Sequence, residues 1–176
     1  MGVGPLDPSS GIDVWLRVVH VVRSARPDVS LRWLLPADGP AETAYDDAIA
    51  HERWHLGLDD GIEFVAPQDQ GALAAASGQP TVVIVTARPA VHGASGGEAT
   101  WRGALAFANA ANAGVVGFGG GAVPPPEQRV GVDLELIDYP DADALADAAV
   151  RALSGAAPGL TRPSGRRPWA RSSLRR

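Results

Sequence analysis

The chain has no cysteine and no lysine among its 176 residues. Without cysteine there are no disulfides, no thiolate zinc sites and no cysteine nucleophiles. Aromatics are scarce, ten in all (five Trp, two Tyr, three Phe), so the core falls to Val, Leu, Ile and Ala. No apolar run approaches the ~18 residues of a membrane span. The first residues lack a signal peptide's basic start and apolar stretch, and the expected address is cytoplasmic. An apolar fraction of 45% with 20% charged residues excludes a wholly disordered chain. The length suits one ordinary domain or two very small ones.

All fifteen basic residues are arginine, and six lie beyond Leu160: Arg162, Arg166, Arg167, Arg171, Arg175 and Arg176. That end holds no acid and carries +6, while the rest sets nine arginines against twenty acids, or −11. An acidic body argues against nucleic acid as a partner, although the tail alone suits phosphates or acidic lipids. The expected organisation is a folded domain over residues 1–157 and a disordered arginine-rich tail over 158–176. The tail's Pro, Ser and Gly leave too little apolar surface to offset ordering.

The body alternates. Helices are expected over residues 14–25, 41–56, 68–76, 100–113 and 141–153, and strands over 30–35, 62–66, 81–86, 115–118 and 134–137. Asp13 opens the first helix and Pro27 closes it, with Asp13, Arg17, His20 and Ser24 as its solvent stripe. Gly57 and Gly114 are natural helix stops. The strand at 81–86 is apolar without alternation, as a central parallel strand covered on both faces requires. With a stub near Val3 this makes about six strands in a Rossmann-like α/β sandwich with right-handed crossovers. Ligands in such sheets sit beyond the carboxyl ends of the strands, where three glycine-rich or polar loops leave: residues 5–11, 88–99 and 117–126.

In order and spacing, these segments resemble the C-terminal half of retaining GT-B glycosyltransferases. The opening Val3-Gly4-Pro5-Leu6-Asp7-Pro8-Ser9-Ser10-Gly11-Ile12-Asp13 is similar to that family's V-G-R-L-x-P-x-K-G-x-D. His55-Leu56-Gly57-Leu58 leading to Ile62-Glu63-Phe64 resembles L-G-L-x-x-x-V-x-F. Gly114-Val115-Val116 follows a small-residue helix as in E-A-x-A-x-G-x-P-V-V, and residues 134–153 resemble G-L-L-V-x-P-x-D-x-x-A-L-A-x-A. The resemblance spans residues 3–155. It implies binding of a nucleotide-diphosphate sugar and no further cofactor. The acceptor domain of that family has no counterpart in these segments, so the chain alone is expected to be inactive unless another polypeptide supplies that domain; a truncated gene product is the other expectation.

Departures stand at the donor motifs. The family's arginine and lysine of the opening loop hold the donor diphosphate; Pro5 and Ser10 occupy their places. Counting back from Gly114 puts Trp101 and Asn109 where the family has two glutamates, the second of which contacts the ribose. Asn109 offers a neutral contact there, weaker than a carboxylate's. Gly93, Gly96 and Gly97 precede Thr100 at the expected start of a helix, where free N–H groups and the dipole attract phosphate. Glu98 opposes that attraction unless it faces a sugar hydroxyl or pairs with Arg88. The candidate donor site is thus Gly4, Ser10, Gly96, Gly97, Glu98, Thr100 and Asn109, with binding weak or lost. Gly119-Gly120-Gly121 is read as mobile loop.

A competing motif is His51-Glu52-Arg53-Trp54-His55, a literal H-E-x-x-H on a helix, with two imidazoles for zinc and Glu52 as base. Position 61, where a further histidine would complete a metzincin pattern, is Gly61; His92, Glu63 and Glu98 are the remaining third ligands. Asp141, Asp143 and Asp147 read as a capped, solvated helix face, and Trp15, Trp33 and Trp54 as core. No serine has a His and Asp partner in context. The expectations are therefore a glycosyltransferase-like donor-binding domain first, a non-catalytic Rossmann-like interaction module second, and a zinc hydrolase third.

Overall fold

The computed structural model describes residues 1–36, 44–76, 80–88, 96–119 and 131–155. The expected tail and the greater part of the loops at 88–99 and 117–126 lie outside the described residues. Six strands form one sheet: β1 (Gly2–Val3), β2 (Leu31–Leu34), β3 (Ile62–Val65), β4 (Val82–Val85), β5 (Gly114–Phe118) and β6 (Leu134–Ile137). Their order is β3-β2-β1-β4-β5-β6 and every pairing is parallel. The helices are α1 (Ile12–Ala25), α2 (Ala44–His55), α3 (Gln70–Ala76, entered through a 3-10 turn at Pro67–Asp69), α4 (Gly96–Ala111) and α5 (Ala142–Leu153). This is the doubly wound order in which successive connections run outward from β1 on one side and from β4 on the other.

Burial explains the layers. All four residues of β4 are buried, and their side chains alternate between two cores. Val82 and Ile84 join α1, α5 and Ile49 of α2 on one face; Val83 and Val85 join Trp101, Ala104 and Ala108 of α4 and Ala74 of α3 on the other. A strand covered on both sides has no polar face to show, which accounts for its unbroken apolar run. Helix α1 lays Ile12, Trp15, Leu16, Val19 and Val22 on the sheet, and Arg17, His20 and Ser24 face solvent as the spacing requires. Helix α5 is capped by Asp141, whose carboxylate accepts from the Ala144 amide at 2.9 Å. Among the described residues, no helix is long and apolar enough to cross a membrane.

Several expectations are corrected, three of them in ways that matter for the site and the core. Helix α4 begins at Gly96, four residues before Thr100, so Gly96 and Gly97 form its first turn rather than a loop ahead of it. The same helix ends at Ala111, and the residue that turns the chain is Asn112, in the left-handed region at φ 50°; Gly114 already belongs to β5. Trp54 is 64% exposed and is no part of the core, whereas Trp15 and Trp33 are fully buried.

Strand β1 is short and central, and the Met1 nitrogen lies within the sheet, where it donates to the Val82 carbonyl at 2.7 Å.

Candidate functional site at the switch point of the sheet

Neighbouring strands β1 and β4 send their connections in opposite directions, which makes their carboxyl ends the switch point of the sheet, where folds of this kind take ligands. The floor there is built by core packing. The Trp33 indole lies over Gly2, where an added Cβ would stand 2.2 Å from Cε3, and its N–H donates to the Gly4 carbonyl at 2.8 Å. Gly4 has φ +145°, and a Cβ there would meet Ser10 Cβ at 2.7 Å and Thr100 Oγ1 at 3.4 Å. Gly4, Ser10 and Thr100, singled out separately in the sequence, thus meet, and all three are buried. Gly97 is buried one turn earlier on α4. The N–H groups of that first turn have no acceptor within the helix, the usual setting for an anion.

The β1–α1 loop is closed on itself. Asp7 Oδ1 accepts from the Ser9 amide at 2.7 Å, the Ser9 hydroxyl at 2.5 Å and the Ser10 amide at 3.3 Å. The Ser10 hydroxyl donates to the Asp7 carbonyl at 2.9 Å and accepts from the Ile12 amide at 3.3 Å. A carboxylate thus already sits on amides that could otherwise face a phosphate. Gly11 caps α1 at φ +68°, and a Cβ there would lie 2.1 Å from the Thr86 carbonyl oxygen. The Thr86 hydroxyl donates to the Ser10 carbonyl at 3.2 Å, and the Arg88 amide donates to the Ser9 carbonyl at 3.1 Å. Loop and strand end are one unit.

Arg88 is the side chain that the sequence reading undervalued. It does not reach Glu98, which pairs instead with Arg102 one turn along α4 at 2.7 Å. Arg88 Nη2 donates to Asp13 Oδ2 at 2.6 Å, while its Nε is shielded from solvent and has no partner among the described residues. Asp13 Oδ1 in turn accepts from the Tyr45 hydroxyl at 3.3 Å, and burial followed by the Asp13 charge pushes that phenol up to about 12. The motif carried no signal for this, because Arg88 leaves β4 some seventy-five residues after the Asp13 it meets. The Arg88 side chain as a whole is 41% exposed.

Other candidates fall elsewhere. Trp101 is buried, its ring against Gly117 of β5 where a Cβ would come within 2.6 Å, so it is a core residue. Asn109 is exposed near the last turn of α4, beside Gly131 ahead of β6. At 1.5 Å per residue it stands about 13 Å along the axis from Thr100, toward the amino ends of the strands. His51 and His55 lie on the exposed face of α2, where their Nε2 atoms are 2.9 Å apart. Glu52 is held by Arg17 at 3.0 Å, and no group of three or more His, Asp or Glu side chains suited to a metal ion occurs among the described residues. Gly93, Gly120, Gly121 and His92 lie outside the described residues.

No family model and no curated protein matches the chain. Solved structures do. A mutant of S. aureus TarM in complex with fondaparinux, alpha-GlcNAc-glycerol and UDP aligns with a TM-score of 0.59 at 13% identity, over 88% of this chain and 28% of that one. A second TarM structure aligns at 0.61 with 17% identity, over 88% and 29%. At such identities the likeness is one of fold: a glycosyltransferase-like, Rossmann-type α/β sandwich. The chain spans under a third of the length of these neighbours.

The closeness of loop and strand gives a paired test. Gly11→Ala combines the left-handed penalty of about 1–2 kcal/mol with a collision against the Thr86 backbone. Gly57 has nearly the same φ, +65°, but open space around it. Denaturant melts are expected to show Gly11→Ala destabilised by at least about 1 kcal/mol more than Gly57→Ala; equal losses would mean that the loop does not bear on β4.

Proposed function

We propose that this chain is the donor-side domain of a glycosyltransferase-like protein and that it receives a nucleotide-diphosphate sugar at the switch point of the sheet. The observation that carries the reading is the convergence there of the β1–α1 loop, the end of β4 and the first turn of α4. A diphosphate fits the chemistry of that meeting point: helix amides at Gly96 and Gly97, buried hydroxyls beneath, and the guanidinium of Arg88. The UDP bound in the TarM complex is a ligand of the same class. Glycosyl transfer itself would need an acceptor site that this domain does not build from the residues described, so the chain is proposed to bind donor and to be inactive alone.

Binding is expected to be weak. Pro5 and Ser10 supply no charge, and Asp7 brings a negative one close to the loop amides. Arg88 divides its charge with Asp13. Asn109, at the far end of α4, is given no part in holding the diphosphate. One observation favours the second reading, a non-catalytic interaction module: the Asp7 carboxylate fills the loop's own anion position.

Calorimetric titration with UDP and UDP-sugars separates the two readings. The parent chain is expected to bind in the millimolar range. Pro5→Arg, which restores one charge-assisted contact of ~1.5–3 kcal/mol, should tighten binding at least about tenfold. Removing the guanidinium from that variant with Arg88→Ala should return the gain. No detectable binding by Pro5→Arg, with folding intact, would leave the interaction module as the better account.

A further inference from the structure

The H-E-x-x-H segment is left unused by the donor site, and its geometry has a chemistry of its own. His51 and His55 stand one turn apart on α2, both exposed, with perpendicular rings whose centroids are 4.3 Å apart. Their Nε2 atoms are 2.9 Å from each other, within hydrogen-bond distance. Two neighbouring charges on α2 are engaged elsewhere. Glu52 pairs with Arg17, while Arg53 donates to the Asp59 carbonyl and lies over the Phe64 ring at 5.4 Å. His20, on the adjoining helix, has its Nδ1 on the Leu56 carbonyl at 3.0 Å. Among the described residues, no carboxylate is bound to either imidazole.

We propose that His51 and His55 form a two-imidazole chelate for one divalent transition-metal ion of the Cu(II) or Ni(II) type, distinct from the donor site and from any zinc hydrolase. At metal–nitrogen bonds of about 2.0–2.1 Å, two donors in adjacent square-planar or octahedral positions lie ~2.9 Å apart, whereas tetrahedral positions set them ~3.4 Å apart. The spacing present is 2.9 Å, which matches the right-angled geometry that Cu(II) and Ni(II) prefer. Binding displaces any proton on Nε2. A ring that carried one there takes the Nδ1–H tautomer, and both lone pairs then face the ion. Two protein ligands leave the other positions to water or to a donor from another molecule. Glu52, tied to Arg17, is not placed to serve as a base there. The affinity order expected is Cu(II) over Ni(II), with Zn(II) below Cu(II).

Trp54 supplies a reporter. It is 64% exposed, and its ring lies 4.9 Å from that of His55 and 6.3 Å from that of His51. Copper bound to the pair should quench its emission. The experiment titrates untagged full-length protein with CuCl2, NiCl2 and ZnCl2, following tryptophan fluorescence and calorimetric stoichiometry. One Cu(II) per chain with quenching is expected. His51→Ala or His55→Ala should weaken it about a hundredfold, the usual value of linking a second ligand at short range. Trp54→Phe should keep the stoichiometry and lose the quenching. Circular dichroism establishes that the variants are folded. Copper affinity equal in His55→Ala and the parent would overturn the proposal. So would a tightly held zinc that resists dialysis against chelator, since that demands ligands beyond these two.

Discussion

The structure depends on two tryptophans packed against a backbone that has no side chain to offer. Trp15 and Trp33 meet edge to face at 5.1 Å between centroids, both fully buried, and the Trp33 ring occupies the space a Cβ on Gly2 would need. Large indoles bury much apolar area at once, and here they do so only because β1 is glycine at that point. The Trp33 N–H then holds the Gly4 carbonyl. The path of the β1–α1 loop, and with it the meeting of Gly4, Ser10 and Thr100, follows from the core. On the proposed reading, a site built on such packing would present fixed amides to a diphosphate.

Electrostatics sets the limit on what that site can hold. A carboxylate from its own sequence caps the loop amides, and the Arg88 guanidinium shares a carboxylate that also takes the Tyr45 hydroxyl. The result is a meeting point of helix amides and one partly committed cation, in a chain whose body is acidic. On the proposed reading, affinity for a diphosphate depends on whether it can compete for Arg88, rather than on the shape of the fold.

Much of the fold was legible. The apolar run of β4 announced a strand covered on both faces, and Asp141 announced the start of α5, because these signals are local. The site was legible in part. Gly4, Ser10 and Thr100 were singled out, but their meeting is a fact of topology. Glycines 96 and 97 read as loop because glycine disfavours helix; packing of Trp101, Ala104 and Ala108 onto the sheet prevails over that preference. Trp54 read as core by residue type alone, yet it lies five residues after the buried Ile49 and so about 140° around the helix. Asn109 was reached by counting from Gly114, whereas the chain turns at Asn112; asparagine tolerates that left-handed position, and nothing in the sequence distinguishes it from the glycine two residues on. Arg88 and Asp13 could not be paired without the fold.

The most direct measurement is an amide ¹H–¹⁵N NMR titration of the whole chain with UDP. The account predicts shift changes clustered at Gly4, Ser10, Gly11, Arg88, Gly97 and Thr100, with the His51 and His55 amides unmoved. Changes centred instead on Asn109 and Gly131, or none at saturating millimolar ligand, would contradict the assignment of the donor site to the junction of β1, β4 and α4.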